Sequence, residues 1–305
     1  MHNGTGAGGR ALRLIEPLTR PWSLRSRRSR VRQVSRAAIA HAAVVTAAAV
    51  CCAALAVFLL LPLVALLSTA PPHAVIAALR DGETLTALGL SLRASALALT
   101  LTIVIGTPAA YFIATRRFPG RRAVLTAVEL PIVLPPAVAG LALLSAFGPE
   151  GLAGGALSAV GIRLPFTFGA VVVASMFVAS PLYIRNAIAS FEQVDRRLID
   201  AARNLGASEL RAFLRVAAPI AMPGLTASAA IATARALGEF GATLMFAGSL
   251  RGSTQTAAIA IYERFASDTT AAFALSIALL ALAAGLLAAA KLHSASAGLA
   301  SISRR

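Results

Sequence analysis

Arg235 and Glu239 stand four residues apart inside a long apolar stretch, one helical turn from each other, with Gly238 and Gly241 flanking Glu239 and Phe240. Ionisable side chains at membrane depth are costly enough that function is the first hypothesis for them. Two readings remain open at this point. The pair neutralises itself inside a helix bundle as an i,i+4 contact, or the stretch "GEFGAT" lines a path, with Phe240 narrowing it and Thr243 alongside. Glycines there permit close packing or a local helix break, and a broken helix offers backbone N–H groups to an anion.

Other chemistry is excluded by residue type. The phosphate-binding loop of nucleotide hydrolases needs a Gly-Lys-Ser/Thr ending, and the single lysine, Lys291, is followed by Leu292. The histidines, His2, His41, His73 and His293, lack metal-ligand spacing, and no Ser/His/Asp or paired-carboxylate constellation is apparent. Cys51 and Cys52 are adjacent within an apolar run and read as small buried hydrophobes rather than a disulfide or a metal site. The chain is therefore read as a non-enzyme with no cofactor or metal of its own.

The elements that must position these residues are membrane spans. Of 305 residues, 58% are hydrophobic and 13% charged, whereas soluble domains carry roughly a quarter charged residues. Crossing a bilayer takes about 20 apolar residues in a helix, since only a helix satisfies its own backbone there. Six stretches qualify: 40–69, 92–115, 123–147, 166–188, 222–248 and 271–291. The third carries Pro131, Pro135 and Pro136, which should kink or unwind it and make it a candidate moving part. Glu129, beside them, is expected to pair with Arg121 or Arg122.

A net charge of +16 would suit a nucleic-acid binder, but its distribution says otherwise. With both termini inside, 22 of the 28 Lys and Arg fall on one side of the membrane, as the positive-inside rule requires. Residues 1–36 read as a loosely ordered, basic cytoplasmic tail, 37–294 as the transmembrane domain, and 295–305 as a short cytoplasmic tail. The apolar run after residue 37 is too long for a signal-peptide core and reads as a retained span.

One segment interrupts the apolar pattern: "DAARNLGASELRAFLRVAAPIAMPGL", Asp200–Leu225, on the basic side between the fourth and fifth spans. It reads as two short helices. Asp195 caps the first, whose stripe is Leu198, Ala201, Ala202 and Leu205. Gly206 permits the left-handed turn, Ser208 caps the second, and Pro219 and Pro223 end or kink it before the membrane. "AARNLGAS" also looks like the turn of a DNA-binding helix-turn-helix. Roughly 35 residues between membrane tethers leave little room for its supporting core. An amphipathic loop on the lipid surface or a docking helix for a cytoplasmic partner are the remaining readings.

These residues resemble the permease subunits of bacterial binding-protein-dependent ABC importers, whose cytoplasmic signature is E-A-A, three residues, G, nine residues, then I-x-L-P. Here it reads Asp200-Ala201-Ala202, Gly206, and Val216-Ala217-Ala218-Pro219. The resemblance implies that the segment 195–219 is a coupling helix seated on an ATPase subunit. "SLRASALALTLTIVIGTPAAYFIATRRFPGRR", "ELPIVLPPAVAGLALLSAFGPEG" and above all "ARALGEFGATLMFAGSLRGSTQTAAIAIYE" are similar to the molybdate and sulfate branch, with "TLMFAG" tilting to molybdate. The pattern departs at Ser249–Gly252, where molybdate permeases usually carry an Asn and a Pro-Gly.

The resemblance implies an all-α, six-span permease in the bacterial inner membrane, N-in and C-in. It would work as a homodimer with two ATPase subunits, which hold ATP and magnesium, and an extracytoplasmic molybdate-binding protein. Sulfate, thiosulfate and tungstate remain alternative substrates. An ion-driven secondary transporter and a membrane-tethered regulator are the alternatives of other classes.

Overall fold

The computed structural model describes residues 24–302, with side chains placed over 41–289, and every regular element among them is helical. In chain order the elements are α1 (Leu24–Thr69), α2 (Pro72–Ala78), α3 (Gly82–Thr115), α4 (Arg121–Val133), α5 (Pro136–Phe147), α6 (Gly154–Ala159), α7 (Phe168–Glu192), α8 (Arg196–Asn204) and α9 (Glu209–Ala212). A π turn (Phe213–Ala217), α10 (Ala218–Leu237), α11 (Gly241–Ala247), α12 (Ala257–Ser267) and α13 (Thr269–Ile302) complete the chain.

Five helices are long and apolar enough to cross a bilayer, and α4 with α5, bent by 117° across a short break, makes a sixth if counted as one span. The six expected stretches are thus all helical, with three differences. The second span begins ten residues earlier, at Gly82, because Asp81 caps it by accepting from the Thr84 N–H. The third is two helices rather than one kinked helix. Pro135 and Pro136 cannot donate to a ladder, and they sit as N-cap and first residue of α5, where those donors would be unpaired anyway.

The fifth span starts earlier and stops sooner than expected. Pro219 and Pro223 were expected to end or kink the helix before the membrane, yet Glu209–Leu237 runs as one span. Pro219 has no N–H for the carbonyl of Arg215, and the turn immediately before it widens so that Ala218 N–H reaches Phe213 O instead. The wider turn absorbs the proline without breaking the rod.

At the ends, α1 begins at Leu24 and α13 continues to Ile302. Residues 24–36 of the expected loose tail are therefore helical, as are 295–302. Residues 1–23 and 303–305 lie outside the described residues. Cys51 and Cys52, expected to be buried, are exposed on α1. In lipid, exposure of small apolar side chains carries no penalty, so hydrophobicity alone did not fix burial.

The core is made of α3, α7 and α10 with α5 and α11 against them. It is rich in alanine: Ala94, Ala98, Ala170, Ala174 and Ala242 form one cluster around Phe246, and Ala110, Ala187, Ala217 and Ala232 form another around Tyr183. Small side chains bring backbones close, which is how helices associate where the solvent is as apolar as the core. Tyr183 spends its hydroxyl on Thr107 Oγ1, 2.7 Å away, tying α7 to α3.

At the Arg-poor end, an ionic knot ties the start of α3 to α12. Arg264 reaches Asp81 Oδ2 at 2.8 Å and donates to Thr84 Oγ1 at 2.7 Å, while Arg251 holds Glu83 at 2.9 Å. The Arg264 hydrogen bond, with Thr84, lowers the Asp81 pKa to about 2. A depressed carboxylate stabilises the fold above its ordinary value near 4 and loses that contribution as pH falls through about 2. Asp81→Asn should therefore destabilise the detergent-solubilised protein at pH 7, seen as a lower Tm, by no more than about 1 kcal/mol because Asp81 is 41% exposed. The gap from wild type should close progressively between about pH 4 and pH 2.

Candidate transport site

The expected "GEFGAT" path residues occupy a break between α10 and α11. Leu237 closes α10, Gly238 caps it, and Phe240 precedes α11. Glu239 spans the break. Its Oε2 pairs with Arg235 Nη1 at 2.7 Å, and its Oε1 accepts the Ala242 N–H of the next helix at 2.8 Å. One carboxylate thus neutralises the last-turn arginine of one helix and caps the first turn of the other. Glu239 is 2% exposed and Arg235 33%. Of the two readings open in the sequence, the mutual pair forms, and the cap is a third role that spacing did not reveal.

The remaining residues divide between surface and interior. Gly238 is exposed, and Phe240 is half-buried with its ring 5.1 Å from that of Tyr262 on α12. Thr243 is fully buried, and its Oγ1 has no hydrogen-bond partner. Gly241 packs on the start of α5: a Cβ there would lie 2.6 Å from Pro136 Cβ, so only glycine lets the two breaks meet. Pro135 and Pro136 are therefore contiguous with the Glu239 break, whereas Pro131 lies inside α4. Tyr262 was not found from sequence, since nothing in its spacing links it to Phe240.

The expected coupling segment folds with the predicted caps. Asp195 accepts from Arg197 N–H at 2.9 Å, Ser208 from Arg211 N–H at 3.3 Å, and Gly206 takes φ of +86° between the helices. Asp200, Ala201, Gly206 and Pro219 are exposed, and Ala202 and Val216 half-buried. The apolar stripe is not the inner face. Leu198 is exposed, Leu205 is 90% exposed, and Leu210 and Leu214 also face outward. The buried side chains are Ile199, Ala212 and Ala217. Phe213 locks the second helix, its ring 4.8 Å from Tyr111 and 6.1 Å from Phe191. With the aromatics as anchor, Leu198, Leu205, Leu210 and Leu214 stay exposed.

Ion pairs that sequence spacing did not show hold this segment and the end of α7 to the "RRFPGRR" loop. Glu209 binds both Arg116 and Arg203 at 2.6 Å, and Arg121 binds Glu192 at 2.7 Å. Glu129 does not pair with Arg121 or Arg122 as expected. It lies two turns along α4 from them and faces Arg185 of α7 at 3.5 Å. Apart from Arg203 and Glu209, which are neighbours in the segment, these partners lie 56 to 93 residues apart, beyond any local rule.

The described residues thus form an all-helical bundle with a broken third span and a short helix pair between α7 and α10. A chain from the crystal structure of a bacterial ABC transporter involved in the import of the acidic polysaccharide alginate superposes with a TM-score of 0.67, covering 87% of this chain and 98% of that one at 17% identity. The model of the binding-protein-dependent transport system inner membrane component family matches residues 102–296, and the chain belongs to that family. It is a multi-pass inner-membrane permease. Among its relatives, the molybdenum transport system permease protein ModB of Mycobacterium bovis is 39% identical over 235 residues, 75% of this chain and 86% of that one. The probable transport system permease protein NifC of Clostridium pasteurianum is 38% identical over 213 residues, 70% of this chain and 74% of the relative.

The Glu239 bridge makes a specific energetic claim. Glu239→Ala should destabilise the protein by about 2–4 kcal/mol, since a buried cap and an ion pair are lost together. Glu239→Gln, which keeps an acceptor for Ala242 N–H, should cost less. In a double-mutant cycle with Arg235→Ala, read by thermal unfolding in detergent, the losses should be less than additive.

Proposed function

We propose that the chain is the permease subunit of an ATP-driven importer for molybdate, with ATP hydrolysed by a separate subunit. The observation that carries this reading is the 39% identity over 86% of a molybdenum transport system permease. The absence of a Gly-Lys-Ser/Thr sequence supports the division of labour, since this chain has one lysine in the wrong context.

In this reading the basic face is cytoplasmic and both termini lie inside. Two copies pair about a two-fold axis, each giving half of the path. Two ATPase subunits, holding ATP and magnesium, seat the coupling segment in their clefts. Asp200, Ala201, Ala202, Gly206, Val216 and Pro219 form the signature of that segment, and the exposed Leu198, Leu205 and Leu210 supply its apolar contact. An extracytoplasmic binding protein delivers the oxyanion.

Closure of the ATPases moves the helix pair. The motion has a mechanical route, because Glu209–Leu237 is one continuous rod ending at the Glu239 break. Displacing that rod shifts Arg235, Gly238 and Phe240 against Pro135 and Pro136 through the Gly241 contact. Phe240 narrows the path and the anion passes when its ring moves aside. The protein makes and breaks no bonds of the substrate.

The test is cellular molybdenum in a permease-deletion strain grown at limiting molybdate, complemented with the intact gene, Gly206→Asp or Leu205→Asp. The intact gene should restore uptake in excess sulfate. Gly206→Asp, which puts a Cβ and a carboxylate at a φ of +86° between the two helices, and Leu205→Asp, which places a charge on the docking face, should insert normally and abolish uptake. Loss of restoration in sulfate would reassign the substrate to sulfate. Normal transport by both variants would remove the coupling role.

A further inference from the structure

A cavity of about 310 Å³ opens where the end of α3, the start of α4, the end of α7 and the start of α8 converge. Its lining carries Arg116, Arg117, Arg121 and Arg196 against one acid, Glu192, an excess of three positive charges. Only part of this charge is spent. Arg121 donates to Ile113 O at 2.9 Å and pairs with Glu192, Arg196 donates to Ala114 O at 3.3 Å, and Arg116 is held by Glu209. These bonds fix three guanidiniums, each with five donors, around the mouth of the cavity. Arg117 has no hydrogen bond or ion pair among the described residues.

We propose that this cavity binds a phosphate group, with Arg117 as its free donor and Arg121 and Arg196 as its fixed wall. Planar guanidiniums match phosphate oxygens in pairs, and prefixed ones lose little freedom on binding. The rim points to a phosphodiester of the surrounding bilayer as the source. Phe112, exposed on the last turns of the α3 span, lies 5.4 Å from Phe118 ring to ring, beside the arginines. Arginines at the end of an apolar span lie at headgroup level, where anionic lipids attract them. Free inorganic phosphate offers the same chemistry.

The experiment uses the full chain in nanodiscs of phosphatidylcholine containing one-tenth phosphatidylglycerol, followed by native mass spectrometry of the retained lipid. The same measurement is repeated with excess inorganic phosphate. Wild type should retain phosphatidylglycerol in preference to phosphatidylcholine. Arg117→Ala, an exposed residue without structural bonds, should fold normally and weaken this retention about fivefold, and Arg117→Lys should recover part of it. Retention that resists inorganic phosphate identifies the lipid, and retention lost to it, with phosphate bound, identifies the free anion; both support the site. Equal retention of the two lipids, or no response to Arg117→Ala in a folded protein, overturns it. So does a loss of ATPase co-purification with lipid retention unchanged, because the face would then belong to a protein partner. Molybdate uptake is not the readout, so the site fails or stands apart from the substrate assignment.

Discussion

Within a bilayer no water is available to a backbone group, and every N–H and C=O must find a partner inside the protein. That constraint makes two places where consecutive apolar helices are interrupted the most informative features. One is the Leu134–Pro135 junction, where two prolines remove donors rather than leave them unpaired. The other is Gly238–Phe240, where the Glu239 carboxylate stands in for a backbone acceptor at the start of α11. Both breaks meet at Gly241. A bundle that concentrates its irregular backbone at one internal junction has a place where helices can change angle without breaking a ladder.

The second organising feature is a rod. The π turn lets Glu209–Leu237 pass Pro219 without interruption, so the second short helix and the break at Gly238–Phe240 are the two ends of one element. Tyr111, Phe191 and Phe213 pack at its outer end and Arg116 and Arg203 converge on Glu209 there. The leucines left over by that packing, Leu198, Leu205 and Leu210, are exposed among the described residues. Their outward placement costs free energy in water, which is consistent with a surface reserved for another subunit.

Alanine dominates the interfaces between α3, α7 and α10, and this explains why composition and fold agree so closely. Large side chains gain little from burial when lipid is the alternative, so close backbone approach by small residues has to hold the helices together. Polar bonds then add direction at few points: Thr107 to Tyr183 inside, Asp81 to Arg264 at one end, and Arg121 to Glu192 at the other.

What the sequence by itself determined was whatever depends on local or one-dimensional information. Apolar run length marked the spans, Asp195 and Ser208 the caps, Gly206 the turn, and the lone lysine the absence of a phosphate-binding loop, while the i,i+4 spacing of Arg235 and Glu239 left pairing open as one of two readings. What only the tertiary structure decided were matters of facing and partnership. Leu198 and Leu205 were legible as apolar but not as outward, because periodicity marks a face without saying what it meets. Glu129 was legible as charged but its partner was not, because Arg185 approaches it from another helix. The helical N-terminal stretch from Leu24 and the rod through Pro219 were hidden for the same reason: proline and charge disfavour a helix locally, and a π turn or the continuation of a long helix outweighs them.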